Sequence, residues 1–192
     1  MLSGMGFDNI YNLQGGIKAW QGEKATGPVE LNMDLIRGNE TPAEITAFAF
    51  GMEKGLQTFY AAMGQKSSDQ ALKDLFQKLT DIEENHKKMI FELRKQIEPP
   101  PVSIETFEAE IDSGVLEGGF DINAFMEKNL SYMNTVPDVL NLAMMLETQG
   151  LDLYLRFADK SAHARTKEVL FKVAEEEKGH LAALGRLLEE KI

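Results

Sequence analysis

The sequence predicts an all-α fold, a four-helix bundle with one long crossover, and three observations support that class. Apolar residues recur at helical spacing through four long segments of the 192-residue chain. Two of these segments begin with the same capping motif, and each is followed by another segment beyond a short polar break. A pattern of carboxylate, phenol and imidazole side chains also occurs twice, with an offset of 94 residues: Glu53, Tyr60, Glu83 and His86, then Glu147, Tyr154, Glu177 and His180.

The first predicted hairpin begins after residue 40. Residues 41–44 read Thr-Pro-Ala-Glu, a capping box with proline at the first helical position. The polar residues 67–69 interrupt the helical spacing and can cap the next helix. That second helix should run from about Gln70 to Ile97, because the three prolines at 99–101 cannot continue it.

A long connection follows at residues 102–134. Short helices are predicted near 104–111 and 122–132, with a break between them at Gly118-Gly119. Because the second and third long helices would be parallel, this connection must travel the length of the bundle.

The second predicted hairpin repeats the start of the first. Thr135 is an N-cap residue with Asp138 at the third helical position. The third long helix should end near Lys160, and a turn is predicted over 161–165. The fourth helix is predicted from about 166 to 190.

Composition excludes several classes of partner and chemistry. The net charge of −11 argues against nucleic acid and against an anionic membrane surface. The absence of cysteine excludes disulfides, thiolate nucleophiles, and cysteine-ligated zinc or iron–sulfur centres in this chain. Residues 1–6 lack the features of a signal peptide, and no apolar run reaches the length of a membrane span. We therefore expect a cytoplasmic protein.

The repeat predicts a site for two metal ions. Residues equidistant from the turn of an antiparallel hairpin face each other, and the candidate ligands of each half centre on the predicted turns, near residues 69 and 163. In each Glu-x-x-His sequence the two side chains share one face of the helix. Carboxylate with imidazole suits iron or manganese, with zinc as an alternative. The predicted ligands are Glu53, Glu83, His86, Glu147, Glu177 and His180, with Glu53 and Glu147 placed to bridge the ions.

Each signal has a simpler alternative. A single Glu-x-x-His on an amphipathic helix is usually a surface salt bridge, and duplication copies a salt bridge as readily as a ligand. However, burying Glu53 and Glu147 on an apolar face is costly without a cation, which favours the metal site. Tyr60 and Tyr154 either hydrogen-bond to ligand carboxylates or are ordinary core tyrosines. No catalytic residue is predicted beyond the metal ligands.

Residues 34–192 resemble the ferritin-like superfamily and, within it, the rubrerythrin-like proteins. The resemblance implies a four-helix bundle that binds two irons and often reduces peroxide or dioxygen. The residues that carry it are Glu53 with Phe59-Tyr60, Glu83-Glu84-Asn85-His86, Glu147 with Leu153-Tyr154, and Glu176-Glu177-Lys178-Gly179-His180.

The chain departs from typical rubrerythrins in two ways. It has no rubredoxin-type cysteines, so electrons must come from a separate donor protein. It also has Gly150 where those proteins carry a further glutamate, three residues after the ligand of the third helix. The missing carboxylate places their particular peroxidase mechanism in doubt.

Residues 1–33 are predicted to be a separate remnant. The stretch from Gly6 to Trp20 resembles the last part of a rhodanese domain, without that family's catalytic cysteine loop. We therefore expect no sulfurtransferase activity. The short strand predicted at residues 10–13 would find a partner by pairing across a homodimer.

Three functions remain open from the sequence. The first is a di-iron or di-manganese enzyme that reduces hydrogen peroxide or dioxygen. The second is iron binding or storage without turnover. The third is a structural module in which the cations only hold the helices together.

Overall fold

The computed structural model describes residues 32, 34–97, 103–111 and 114–190, and this part of the chain is mostly helical. Within it there is no strand, only an isolated antiparallel bridge between Val115 and Asp121. The prediction of an all-α fold is therefore confirmed. The predicted rhodanese-like remnant lies almost entirely outside the described residues. None of the helices in the described part has the length and apolarity that crossing a membrane requires.

The first hairpin consists of α1 (Pro42–Lys66) and α2 (Gln70–Ile97). The predicted capping box is present, because Thr41 Oγ1 accepts from the Glu44 N–H while the Glu44 carboxylate accepts from the Thr41 N–H. The Asp69 carboxylate accepts from Leu72 N at 2.9 Å and caps α2. Both helices thus begin at the residues that the capping signals predict.

The connection contains two short helices, α3 (Ile104–Glu110) and α4 (Ile122–Asn129). Between them lies a 3-10 turn in which Gly118 and Gly119 have φ of 71° and 79°, the left-handed region that favours glycine. The prediction of one helix over 122–132 is partly wrong. The α-helix ends at Asn129 and a 3-10 turn, Leu130–Tyr132, completes the segment.

The second hairpin consists of α5 (Val136–Lys160) and α6 (Ala164–Glu189). Thr135 and Asp138 form the second capping box, as predicted. The turn is shorter than the predicted 161–165, since α6 already begins at Ala164. Alanine and arginine are strong helix formers, so Ala164 and Arg165 extend the helix toward the turn.

Hydrogen bonds between helix ends fix the directions of the hairpins. Thr166 Oγ1, at the start of α6, donates to Glu40 O just before α1 at 2.9 Å. Ala162 N donates to Gly38 O at 2.8 Å. The start of α6 therefore lies beside the start of α1, so α2 and α5 run in the same direction and the connection crosses the length of the hairpins.

The apolar core is divided into two clusters. One contains residues near the start of α1 and the end of α2, such as Phe50 and Ile90. The other contains residues near the α1–α2 turn, such as Phe59 and Leu79. On each of the four long helices, the predicted ligands fall between the residues of the first cluster and those of the second. A layer of polar side chains thus separates the two halves of the core.

Candidate metal centre

The six predicted ligands form two groups of three in this layer. Within each group the candidate ligand atoms lie within 4.8 Å of one another. The four carboxylates are at most 2% exposed, and His86 is 8% exposed. The groups are Glu53, Glu83 and His86, and Glu147, Glu177 and His180.

The first hairpin supplies all of the first group. The Nδ1 atom of His86 lies 2.8 Å from Glu83 Oε2, one helical turn away on α2. The same Nδ1 atom lies 3.4 Å from Glu53 Oε2 on α1. This is the pairing across the hairpin that the midpoint of the sequence pattern predicts.

The second hairpin repeats the arrangement. His180 Nδ1 lies 3.0 Å from Glu177 Oε2 and 3.2 Å from Glu147 Oε2. The neighbouring Glu175 and Glu176 are exposed, whereas Glu177 is fully buried. Only one of three consecutive glutamates therefore points into the layer, and it is the one that the repeat selects.

The two groups meet through their histidines. The rings of His86 and His180 stack with centroids 3.4 Å apart and planes 5° from parallel. Since each ring also contacts the carboxylates of its own group, the six side chains form one centre.

The pKa values of the buried carboxyl groups indicate whether the centre needs a cation. Burial raises the pKa of Glu83 well above its ordinary value, and the charges of Glu53 and Glu147 raise it further. Burial also acts to raise the pKa of Glu147. Hydrogen bonds from His180 and Glu177, with the charge on the imidazoles, outweigh burial and lower it. Without a cation, ionisation of Glu83 beside Glu53 and Glu147 is unfavourable.

The donor set fits a pair of metal ions. Oε1 of Glu53 and Oε1 of Glu83 are buried and accept no hydrogen bond from any described residue. Unsatisfied buried carboxylate oxygens are costly, and a cation satisfies both the charge and the lone pairs. Carboxylate oxygens with one imidazole per group suit iron, manganese or zinc.

The electrostatics of Glu83 bears on which carboxylates would bridge the two metal ions. The pKa of Glu83 is raised by the charge of Glu53 on its own hairpin and by the charge of Glu147 on the other. The assignment of Glu53 and Glu147 as bridging ligands stays a prediction.

Tyr60 and Tyr154 are buried in different core clusters. Tyr60 is 1% exposed and packs against Phe59 and Phe76, with ring centroids 5.4 and 6.4 Å away. Tyr154 is fully buried in the cluster at the other end of the hairpins. The predicted hydrogen bonds from these tyrosines to ligand carboxylates stay a prediction.

Two features of the surroundings were missed by sequence reasoning. Lys87 follows His86 and is only 2% exposed, with its ammonium 3.0 Å from Glu84 and in contact with Glu108 of α3. A cavity of about 170 Å³ also reaches the centre between α2 and α6. Comparing the two repeats residue by residue would have found the lysine, because Leu181 occupies the corresponding position.

Comparison with protein-family models, with curated proteins and with solved structures finds no match to this chain. The functional assignment therefore depends on the residues of the centre and their geometry.

Proposed function

We propose that this chain is a rubrerythrin-like oxidoreductase of the ferritin-like superfamily, a four-helix bundle that holds two metal ions, preferably iron. It would reduce hydrogen peroxide or dioxygen with electrons from a separate donor protein. The observation that carries the proposal is the pair of buried Glu-Glu-His groups, one from each repeat, whose histidines stack on each other.

The six side chains would hold the two ions, and bound iron would supply the redox chemistry. Reduction of one hydrogen peroxide to two waters consumes two electrons and two protons. The apolar clusters on both sides keep the ligands buried, which limits access of bulk water. The chain has no cysteine to bind an iron–sulfur centre, so the electrons come from outside it.

A structural role for the cations is the second candidate, and the buried carboxylates favour it too. A cation that merely neutralises Glu53, Glu83, Glu147 and Glu177 would stabilise the fold without turnover. The cavity that reaches the centre favours the enzyme, because a purely structural site has no use for an opening. Iron storage requires many ions in a large assembly, whereas this centre has ligands for two.

A matched pair of adjacent glutamates tests the proposal. Glu177→Gln removes a buried candidate ligand, while Glu176→Gln changes its exposed neighbour. We expect the native protein and Glu176→Gln to bind two ferrous ions per chain anaerobically and to be oxidised rapidly by peroxide. Glu177→Gln should bind fewer ions, with affinity reduced by about 100-fold or more.

Metal analysis and stopped-flow absorbance provide the two measurements. Two ions per chain in Glu177→Gln, with native oxidation kinetics, would contradict the site. Two tightly bound ions that peroxide and dioxygen leave unchanged would identify the structural role instead.

A further inference from the structure

The cavity beside the centre leads from the protein surface to the candidate ligands. Four of the six line it: Glu83, His86, Glu147 and His180. Its other walls are mainly aliphatic, including Leu79, Ile82 and Leu184, and its lining extends to the exposed Lys78 and Ala183. This is an apolar passage that ends on polar groups.

The internal repeat provides a direct comparison for this cavity. Shifting by 94 residues replaces Lys78 with Lys172, Leu187 with Leu93, and Ala183 with Met89. These three counterparts line a second depression between α2 and α6, of about 650 Å³. Among the described residues that line it, none belongs to the six candidate ligands. The repeat thus supplies two related depressions, of which one reaches the centre.

One difference between the two depressions is the size of the side chain at a pair of equivalent positions. Met89 is half-buried and packs against the core cluster that contains Phe50 and Ile90. Its counterpart Ala183 has no side-chain atom beyond Cβ and is exposed at the cavity. A methionine at 183 has the length to cover the opening.

We propose, on the basis of the proposed function, that the oxidant reaches the centre through the cavity at Ala183. The absence of a larger side chain at this position keeps the cavity open. The substrate class is a small neutral molecule, since the aliphatic walls disfavour ions. A volume of about 170 Å³ is several times the roughly 30 Å³ that a water occupies in the liquid, so dioxygen or hydrogen peroxide fits.

Reciprocal variants test the route. Ala183→Met introduces at 183 the side chain found at the equivalent position 89, and Met89→Ala does the reverse. Neither residue is a candidate ligand, so both variants should bind two metal ions per chain. We expect Ala183→Met to slow oxidation of the ferrous protein by dioxygen and by peroxide at least tenfold. Met89→Ala should leave both rates unchanged or increase them.

Xenon provides a readout that needs no metal, because it occupies dry apolar cavities in crystals. Xenon should bind beside Leu79 and Leu184 in the native protein, and be lost in Ala183→Met. Measuring the oxidation rate with each oxidant distinguishes a passage that admits both molecules from one that admits only dioxygen. If Ala183→Met slows oxidation by either molecule, the route is supported.

Two results would overturn the inference. The first is native crystals without xenon in this cavity. The second is an Ala183→Met variant that excludes xenon but reacts with both oxidants at native rates. Failure of the proposed function would look different, because the native protein would then bind no metal while xenon still occupied the cavity.

Discussion

At the scale of single residues, Glu83 is a candidate ligand whose ionised form is unfavourable in the metal-free centre. It is 1% exposed, and two other buried carboxylates, Glu53 and Glu147, add to the effect of burial in raising its pKa. A carboxyl group with a raised pKa in the folded state holds its proton after the unfolded chain has released it. Stability therefore falls as pH rises from about 4.5, the ordinary pKa, through the folded value.

We accordingly expect Glu83→Gln to stabilise the metal-free protein. The amide keeps the shape of the side chain and removes the charge, so the free energy of unfolding at pH 7 should rise by more than about 1 kcal/mol. The same variant should bind less metal. Urea unfolding in chelator at a series of pH values measures the first effect, and metal analysis measures the second.

The increase in the free energy of unfolding caused by Glu83→Gln should become smaller as pH falls toward 4.5. At that pH Glu83 is protonated in the native protein, so it is uncharged like the glutamine. Glu92→Gln, at an exposed position of the same helix, is the control and should change stability little. Glu147 acts in the opposite direction, because its lowered pKa contributes stability that is lost as pH falls below 4.5. A Glu83→Gln variant less stable than the native protein at pH 7 would contradict the assigned electrostatics.

The ligand residues could be predicted because their spacing is repeated and their chemistry is specific. Residues that break the repeat can be found by comparing its two halves, but their roles could not be predicted. Lys87 and Leu181 occupy equivalent positions, as do Met89 and Ala183, and a symmetric argument treats each pair as alike. Their roles depend on what packs over each hairpin, and helical periodicity does not contain that information.

At the scale of helices, lysines of the first hairpin hold α3 in place by hydrogen bonds and an ion pair. Lys54 Nζ donates to Glu108 O at 2.7 Å and to Ile111 O at 2.8 Å, at the C-terminal end of α3. Phe107 packs against Phe50 and Phe91, with centroids 5.0 and 5.6 Å away. In the second repeat Thr148 replaces Lys54, so this attachment belongs to one hairpin alone.

We expect Lys54→Met to weaken the attachment of α3 to the first hairpin without reducing the metal content of the centre. Methionine retains the apolar stem and removes the donor, leaving two carbonyls without their charged partner at a cost of about 1–3 kcal/mol. Amide hydrogen exchange over residues 103–111 should accelerate while metal content stays at the native level. Lys88→Met, at an exposed position, is the control, and equal exchange in the two variants would contradict this role for Lys54.

Helix boundaries followed the capping chemistry wherever it was strong. The two capping boxes at Thr41 and Thr135 place α1 and α5 correctly, because each satisfies backbone groups by a local rule. The end of α4 was misplaced because no such signal marks Asn129. Over so short a segment, helical spacing of apolar residues does not distinguish α from 3-10 geometry.

At the scale of the whole molecule, the direction of the hairpins could be inferred from the ligands. A centre assembled from two equivalent hairpins requires α2 and α5 to be parallel, and the hydrogen bonds at the helix ends agree. Two things could not be inferred. One is the division of the core into two clusters, and the other is the packing of the connection, whose first 3-10 turn contacts both α1 and α5. Both depend on tertiary contacts between segments far apart in sequence.

This division gives metal binding a direct effect on global stability. The four buried carboxylates lie between the two core clusters, so their repulsion acts where the halves of all four long helices join. Ions that bind only the folded state stabilise it by mass action, by about 2.7 kcal/mol for each site at a free concentration one hundred times the dissociation constant. For a chain of this size, each kcal/mol raises the melting temperature by about 2–4 °C.

We therefore expect ferrous or manganous ions to raise the melting temperature of the native protein by at least about 5 °C, and a chelator to reverse the change. Differential scanning calorimetry under anaerobic conditions measures it. Glu176→Gln should respond as the native protein does, because its altered side chain is exposed. Glu177→Gln should respond much less, because one group has lost a ligand. Equal responses in the two variants would mean that the ions bind elsewhere and that the layer between the clusters is not their site.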